Sequence, residues 1–420
     1  MTRRPVSTVY IAYEASFGFF QRVSFTVYTV FAVRELGLDP LQLVLLGTVL
    51  ELTYLVFEVP TGVVADTVSR RLSVLIGVLG SGGAFLLLGL APSFGVALVS
   101  QVLWGIFATF TSGADVAWLT DEVGEEEARR LYVRADQAWH VAALAGIAVG
   151  VALAIVDLRL PVIVGACGIV LLGLWLCFVM PEEHFERQER PEGQTRVGEF
   201  TATLRAGIAD VRAHHVLLLI LGAAVLHGAS TEGFDRLSDL LLLQDIGLPP
   251  LGPLDPLVWF GILNAVGLVL GLGMITFVKR RVHLEGHGRV AKLLAGIDSA
   301  LVVAVVAFAA TKSLVAALIF VWIADGLRSV REPIFTAWLN QGLDPRSRAT
   351  VNSMAGQSDA IGQTMGGPIL GTIARGISVP VAVAVSGLLR LPTLALYARA
   401  VRRGTVGTVA PTDDELVLDD

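Results

Sequence analysis

The distribution of basic residues between apolar segments constrains this chain more than any other feature. About a dozen apolar segments of helix length can be drawn along its 420 residues. Of the 31 Lys and Arg residues, five lie inside these segments, and only Arg34, Arg159, Lys312 and Arg375 lie in one set of alternate gaps. The other 22 lie in or beside the remaining gaps or at the termini. Because positively charged loops are retained on the cytoplasmic side of a membrane, this distribution predicts a polytopic membrane protein.

The composition predicts that the membrane-spanning segments are helices. Hydrophobic residues make up 54% of the chain and charged residues 16%, and the mean hydropathy is +0.70. The stretches at 72–90 and 161–180 are nearly continuous apolar runs and lack the alternation of barrel strands. Backbone amides must be paired inside hydrocarbon, and a helix of about 20 residues crosses a core roughly 30 Å thick.

The apolar segments divide into two sets of six. The predicted helices cover residues 7–33, 41–65, 72–91, 94–117, 132–156 and 159–180, then 216–243, 254–278, 290–311, 314–340, 350–374 and 378–398. An even number places both termini on one side, and basic residues near both ends make that side cytoplasmic. The predicted domains are an N-terminal half (1–180), a cytoplasmic linker (181–215) with an amphipathic helix at 197–211, a C-terminal half (216–400) and an acidic cytoplasmic tail (401–420).

Short repeats indicate that the two halves are related. The triplet Ala-Trp-Leu around Trp118 recurs around Trp338, 220 residues later, each time at the predicted cytoplasmic end of the fourth helix of its half. The same offset relates Gly146 to Gly366. Duplicated halves around a site at the membrane midplane are a common transporter plan. The two tryptophans are alternatively residues of the aromatic belt at the membrane edge.

The loop between the second and third segments carries a recognisable motif. It reads Gly62-Val-Val-Ala-Asp66-Thr-Val-Ser-Arg70-Arg71. We expect Gly62 to permit close helix approach, and Asp66 to accept charge-assisted hydrogen bonds from the arginines as a latch. Asp121 lies where a further partner for the arginines would be useful.

This loop resembles the cytoplasmic signature of the major facilitator superfamily, G-x-x-x-D-R-x-G-R-R, and departs from it at positions 67 and 69. The resemblance implies an all-α membrane protein with about 12 transmembrane helices in two pseudo-symmetric six-helix halves. Among members of the superfamily, the chain looks most like the proton antiporters of drugs and natural products. It departs from them at Gln101, where a basic residue is expected, and in the stretch from Gly146 to Gly150, which lacks proline.

Ionisable side chains inside the predicted spans are candidates for ion coupling. Each costs about 2.5–3.5 kcal/mol on insertion scales, so each needs a reason. The candidate proton-coupling carboxylates are Glu14, Glu51, Glu232, Asp235 and Glu332, and their candidate charge partners are Arg22, Arg236, Arg328 and Arg331. Glu51 and Glu232 are favoured among them, and Glu51 has no like-charged neighbour within one turn. Spacing of i, i+4 predicts the pairs Glu232–Arg236 and Arg328–Glu332. Buried pairs that only fix helix packing remain the alternative.

Aromatic and amide side chains around the same helices are candidates for substrate contact. These are Tyr10, Phe17, Tyr54, Gln101, Trp139, Asn264, Phe335 and Gln357. Aromatic faces suit bulky, partly apolar ligands, and acidic groups suit cations.

The absence of reaction motifs favours a transporter over an enzyme. The sequence contains no nucleotide-binding loop, metal-ligand cluster or nucleophile–base pair, so we expect no cofactor and no metal, and an ion or substrate gradient as the driving force. The leading hypothesis is proton-driven export of an amphipathic drug or natural product by a monomer in a bacterial inner membrane, with no nucleic-acid partner. The alternatives are a proton-coupled importer of a small metabolite, whose cavity would hold a tight, paired charge site, and a receptor-like protein that binds without transport.

Overall fold

The computed structural model describes residues 5–185, 215–251, 255–281, 286–341 and 345–403, and these form twelve helices. The first half consists of α1 (Val6–Phe25, continued by Tyr28–Arg34), α2 (Pro40–Thr67), α3 (Arg70–Gly89), α4 (Phe94–Thr111, continued by Ala114–Val123), α5 (Glu125–Val156) and α6 (Leu160–Val179). The second half consists of α7 (His215–Leu241, continued by a π-helical turn, Leu242–Ile246), α8 (Val258–Arg281), α9 (His287–Ala310), α10 (Leu314–Leu339), α11 (Pro345–Gly376) and α12 (Val379–Leu388, continued by Leu391–Arg403). The predicted fold of twelve helices in two halves is confirmed.

The helices differ in how well their composition suits a membrane. In the described ranges, nine helices are long and apolar enough to cross one, and α1, α10 and α11 are not among them. These three helices carry ionisable or polar side chains along their length. Polar groups in a spanning helix are tolerated where they face protein or a cavity. The three helices therefore mark where a polar site lies.

Local signals fix several helix ends. α2 begins at Pro40, and Asp39 and Gln42 form a capping box at this end, in which the Asp39 side chain accepts from the Gln42 amide at 2.9 Å. The Ser69 hydroxyl caps α3 by accepting from the Leu72 amide at 2.8 Å. α4 breaks at Gly113, whose φ of 73° favours glycine.

The observed helices differ from the predicted ones mainly at their ends. α5 begins at Glu125 instead of 132, because three acidic residues suit the positive N-terminal end of a helix and extend it beyond the apolar segment. α12 continues to Arg403. The amphipathic helix predicted at 197–211 and the acidic tail from 404 onward lie outside the described residues.

The repeat in the sequence corresponds to a repeat in packing. Gly146 on α5 packs against the backbone of α1 at Phe19, and Gly366 on α11 packs against the backbone of α7 at Ala229. In both places a Cβ would overlap a backbone carbonyl, so only glycine permits the approach. The fifth helix of each half thus packs closely on the first.

The two halves touch in the part of the bundle remote from the termini. We call the face where α1 begins and α12 ends the termini face. At the opposite end, the Thr29 hydroxyl donates to Asp239 at 3.1 Å. There, too, Gly261 on α8 packs against Val151 on α5, and Gly367 on α11 packs against α2. These contacts close the bundle on the side away from the termini face.

Candidate functional site

A cavity with a volume of about 530 Å³ lies between the helices, among α1, α7, α8 and α10. It is lined by Arg22, Phe234, Asp235, Ser238, Asp239, Leu263, Asn264, Gly267, Leu268, Val321, Asp325, Arg328 and Ser329. Its volume falls in the range of about 300–1,000 Å³ that is usual for small-molecule sites. We call it the larger cavity. It contains four of the predicted site residues, Arg22, Asp235, Asn264 and Arg328.

A bidentate ion pair forms one wall of the larger cavity. Arg328 Nη1 and Nη2 donate to the two carboxylate oxygens of Asp235 at 2.5 and 2.7 Å. The Arg328 guanidinium also lies 5.2 Å from the ring centroid of Phe234. The predicted i, i+4 pair between Arg328 and Glu332 is therefore wrong. A bidentate carboxylate satisfies two donors at once, and it draws the guanidinium across to α7.

Arg22 brings a positive charge into the larger cavity from the other half of the protein. Its Nη1 donates to Asn264 Oδ1 at 3.5 Å, and its guanidinium lies 5.6 Å from the Trp139 ring centroid. Its Nε is buried without a hydrogen-bond partner. Among the described residues, no carboxylate forms an ion pair with it. Arg22 is thus an uncompensated cation beside a cavity.

Two carboxylates that the sequence did not single out stand on the wall contributed by α7 and α10. Asp239 accepts the hydrogen bond from Thr29, and Asp325 lies near Arg328, whose donors are engaged by Asp235. Neither Asp239 nor Asp325 forms an ion pair with a described residue. Their signal in the sequence was an Asp on a helix that carries several other charges, which alone does not reveal which cavity it lines.

A second ion pair lies where α7 meets α2 of the other half. Arg236 Nε donates to Glu232 Oε1 at 3.2 Å, as the spacing predicted, and the Glu232 side chain is almost completely buried. Gly47 on α2 packs directly against this pair, and a Cβ there would overlap both side chains. Glu51, one turn further along α2, lies within electrostatic range of Glu232, Arg236 and Asp359. Arg236 therefore pairs with Glu232 of its own half and lies near Glu51 of the other half.

A smaller cavity of about 310 Å³ lies nearer the termini face, between α7, α10 and α11. Its polar lining residues are His227, Arg331, Glu332, Thr336, Asn352 and Asp359, and Phe335 contributes an aromatic wall. The Glu332 side chain is 65% exposed and lies 3.8 Å from Arg331 Nη1. In the described ranges, no group of three His, Cys, Asp or Glu side chains is placed to hold a metal ion.

Behind the smaller cavity, one buried carboxylate joins three helices. Asp298 on α9 accepts from Arg331 Nε on α10 at 3.0 Å, and from Arg390 Nη1 at 3.2 Å and the Tyr397 hydroxyl at 2.7 Å on α12. Asp298 and the two arginines are at most 3% exposed. Sequence reasoning missed this cluster, because Asp298 stands alone within an apolar helix and its partners lie 33 to 99 residues away.

Several predicted substrate contacts line neither of these cavities. They are Tyr10, Phe17, Tyr54, Gln101, Trp139 and Gln357. Tyr10 is 4% exposed inside an aromatic group with Tyr13, Trp118 and Tyr132, and Gln101 is 3% exposed. In this conformation neither Tyr10 nor Gln101 is open to a solute. In the sequence, an aromatic residue on a membrane-spanning helix was as compatible with the packed core of one half as with the cavity between the halves.

Glu14 also lies apart from both cavities. Its electrostatic neighbours are Asp115 and Asp136 of the same half. His140 Nδ1 lies 3.5 Å from the Asp136 carboxylate and 2.7 Å from the Asp136 carbonyl oxygen. Glu14 therefore belongs to an acidic group within the first half, and its role in proton coupling stays a prediction.

The motif loop is held by contacts inside the first half. Arg70 forms an ion pair with Asp121 and donates to the Ala117 carbonyl at 2.8 Å, whereas Asp66 is 4.0 Å away. Arg71 Nη2 donates to the Cys177 carbonyl at 2.7 Å. The partner predicted for the arginines at Asp121 is present. The packing role predicted for Gly62 is wrong in this conformation, because a Cβ there would meet no atom within 4 Å.

The two repeated tryptophans are core residues. Trp118 is 2% exposed and its Nε1 donates to the Pro181 carbonyl at 2.6 Å, and Trp338 is 1% exposed and lies edge-on to Tyr397. The alternative that places them in the membrane-edge belt is wrong, because belt residues face lipid. Each tryptophan instead fixes the termini-face end of its half.

The sequence and the fold both match known transporters. The family model of the Major Facilitator Superfamily matches residues 14–367. Over 88 residues the chain is 30% identical to an uncharacterized MFS-type transporter, YxaM, of Bacillus subtilis (strain 168). That match covers 21% of this chain and 22% of YxaM, so it spans about a fifth of the relative's length.

Three solved structures illustrate the fold. A bacterial homolog of the human lysosomal transporter Spinster, inward-facing and unoccupied, aligns with a TM-score of 0.73 at 16% identity, covering 95% of this chain and 98% of that one. A mutant of the nucleoside transporter NupG aligns with a TM-score of 0.80 at 11% identity, covering 94% and 100%. A POT family transporter in complex with a thioalcohol-conjugated peptide aligns with a TM-score of 0.71 at 12% identity, covering 94% and 96%. With twelve helices in two halves and a family match over most of its length, the chain belongs to the Major Facilitator Superfamily, as a multi-pass membrane transporter.

Proposed function

We propose that this protein is a proton-coupled carrier of a small charged solute, which it moves by alternating access with the larger cavity as its substrate site. The observation that carries this proposal is the paired charge site, Asp235–Arg328, in a cavity of about 530 Å³ that is also lined by Arg22 of the other half. A tight charge pair in the cavity is the feature expected from the sequence for a carrier of small metabolites.

The contacts between the halves support alternating access. They lie at the end of the bundle opposite the termini face, and the smaller cavity lies toward the termini face. The sorting of basic residues supports a cytoplasmic termini face in a bacterial inner membrane. The conformation is then inward-facing, and we propose a monomer as the working unit, because each chain holds both halves around its own cavity.

The proton-coupling group that we propose is Glu51 together with Glu232 and Arg236. Glu51 is on α2 and the Glu232–Arg236 pair is on α7, so the two groups belong to halves that must separate at this end when the cavity opens there. Separation removes Arg236 from Glu51, and a guanidinium nearby changes how readily a carboxylate binds a proton. Proton coupling requires a carboxylate whose surroundings differ between the two conformations of the transporter.

Export of an amphipathic compound is the second candidate function. Two aromatic rings lie against the guanidiniums at the larger cavity, Trp139 beside Arg22 and Phe234 beside Arg328. Such surfaces also accommodate flat, partly apolar cations. This observation keeps a drug or natural product among the substrates to be tested.

Proteoliposomes that contain a pH-sensitive dye test the proposal. A panel of small charged metabolites and amphipathic antibiotics is added under an imposed proton gradient, and proton and solute fluxes are recorded together. We expect coupled flux with the wild type and loss of the coupling, with solute exchange retained, in Glu51→Gln. Glu58→Gln is the matched control, because Glu58 is an exposed residue on the same helix.

Solute and proton moving in the same direction would indicate uptake, and opposite directions would indicate export. Solute flux that ignores the proton gradient in the wild type would refute proton coupling. Coupled flux that persists in Glu51→Gln would refute the coupling group.

A further inference from the structure

The larger cavity is polarised between the two halves of the protein. The N-terminal half contributes Arg22, whose guanidinium makes one long hydrogen bond among the described residues, to Asn264, and whose Nε is buried without a partner. The C-terminal half contributes Asp239 and Asp325, and neither forms an ion pair with a described residue. The lining of the cavity thus contains an unpaired cation from one half and unpaired carboxylates from the other.

The ion pair between Asp235 and Arg328 leaves the other charges of the cavity unpaired. Asp235 and Arg328 neutralise each other through two hydrogen bonds, so Arg328 is not available as a full partner for Asp325. An unpaired charge within a membrane protein is costly, and its cost falls when an opposite charge binds to it. A ligand that brings a negative group to Arg22 and a positive group to the carboxylates removes both costs at once.

Resting on the proposed transport function, we infer that the larger cavity binds a zwitterion, with its carboxylate on Arg22 and its ammonium group between Asp239 and Asp325. The planar donor fork of Arg22 suits a carboxylate, and Asn264 Oδ1 and the Trp139 ring hold the guanidinium in place. Two carboxylates on adjacent helices suit a primary ammonium group, which has three donors. Binding then joins α1 of one half to α7 and α10 of the other.

Straight-chain amino acids with their two charges at opposite ends test the inference. The purified full-length protein in detergent is titrated with the series from aminoacetate to aminooctanoate, with the alkylamine and the alkanoate of each chain length as matched single-charge probes. We expect an affinity optimum at one chain length, where the amino acid binds at least about tenfold more tightly than either single-charge probe. Each charge-assisted contact that a probe lacks corresponds to a factor of about ten.

The variants assign each end of the ligand. Arg22→Gln should reduce the best amino acid to the affinity of its alkylamine, and Asp239→Asn or Asp325→Asn should move it toward the affinity of its alkanoate. Arg34→Gln on α1 and Asp245→Asn in the π-helical turn of α7 are matched controls, because both side chains are exposed outside the cavity. The affinity ratio between probes is measured within each variant, so a general loss of folded protein leaves it unchanged.

Three results would overturn the inference: equal affinity for the amino acid and its alkylamine, an Arg22→Gln variant that keeps the wild-type ratio, or no saturable binding by any amino acid of the series. The proposed transport function is judged separately by proton flux and by Glu51→Gln. Glu51→Gln should retain the amino-acid preference, since Glu51 lies outside the lining of the larger cavity.

Discussion

Neutralising Asp298 should be one of the most destabilising single changes in this protein. Its carboxylate is completely buried and is the only anion within hydrogen-bonding distance of two buried guanidiniums, Arg331 and Arg390, among the described residues. The cluster holds two positive charges and one negative charge, so Asp298→Asn leaves two buried cations with no anion between them. The substitution preserves the shape of the side chain and changes its charge.

The magnitude follows from breaking a buried pair. Removal of one partner costs about 3–5 kcal/mol, because the remaining charge stays buried without compensation. Two guanidiniums depend on Asp298, and the Tyr397 hydroxyl also loses its charged acceptor at 2.7 Å. We therefore expect a loss at the upper end of this range, about 4–5 kcal/mol, which lowers the ratio of folded to unfolded protein by roughly a thousandfold or more at about 1.4 kcal/mol per factor of ten.

Denaturant titration in detergent micelles, followed by tryptophan fluorescence, measures the free energy of unfolding. Glu332→Gln is the matched control, because Glu332 is 65% exposed and only 3.8 Å from Arg331, and it should change stability by less than about 1 kcal/mol. Arg390→Met separates charge from packing, since it leaves one carboxylate facing one guanidinium and should cost clearly less than Asp298→Asn. Equal losses in Asp298→Asn and Arg390→Met, or equal losses in Asp298→Asn and Glu332→Gln, would refute the charge-balance reasoning.

Three further predictions concern other contacts. Gly47→Val places side-chain atoms on the Glu232–Arg236 pair, so it should destabilise the observed closed contact between the halves by about 1–3 kcal/mol. A cysteine introduced into the larger cavity should then react faster with an impermeant thiol reagent added from the face opposite the termini. Unchanged labelling would contradict this prediction. Arg70→Lys loses the planar guanidinium whose Nη1 contacts both Asp121 and the Ala117 carbonyl, so it should lower stability by about 1–2 kcal/mol in the same denaturant titration, and no loss would contradict it. Arg130→Gln removes an exposed i, i+4 ion pair with Glu126 and should change the free energy of unfolding by less than about 0.5 kcal/mol. A larger loss would contradict the view that this surface pair adds little stability.

The fold was readable from the sequence because its signals are local or periodic. Apolar length and the sorting of Lys and Arg gave the twelve helices, and the Ala-Trp-Leu repeat indicated the related halves. Breaks such as the one at Gly113 were missed, because an apolar segment continues through the break and hides it. The extension of α5 to Glu125 was missed because those first turns are polar and lie outside the apolar segment.

The site was only partly readable, because the pairing of charges depends on which helices adjoin. Spacing predicted Glu232–Arg236 correctly, since both partners lie on one helix. The same rule failed for Arg328, which has an acid four residues away but pairs with Asp235, 93 residues away. The Asp298 cluster joins three helices, and no spacing rule relates its members.

Glycines take part in the contacts that close the end opposite the termini face. Gly47, Gly261, Gly367 and Gly371 each place the backbone of one half against side chains of the other. Several of the side chains that face these glycines are apolar, among them Val44 and Val151. Because buried apolar surface contributes about 25 cal/mol per Å², separating the halves at this end exposes that surface to water at a cost in free energy. Contacts formed in the outward-open conformation must offset this hydration cost each time the protein opens.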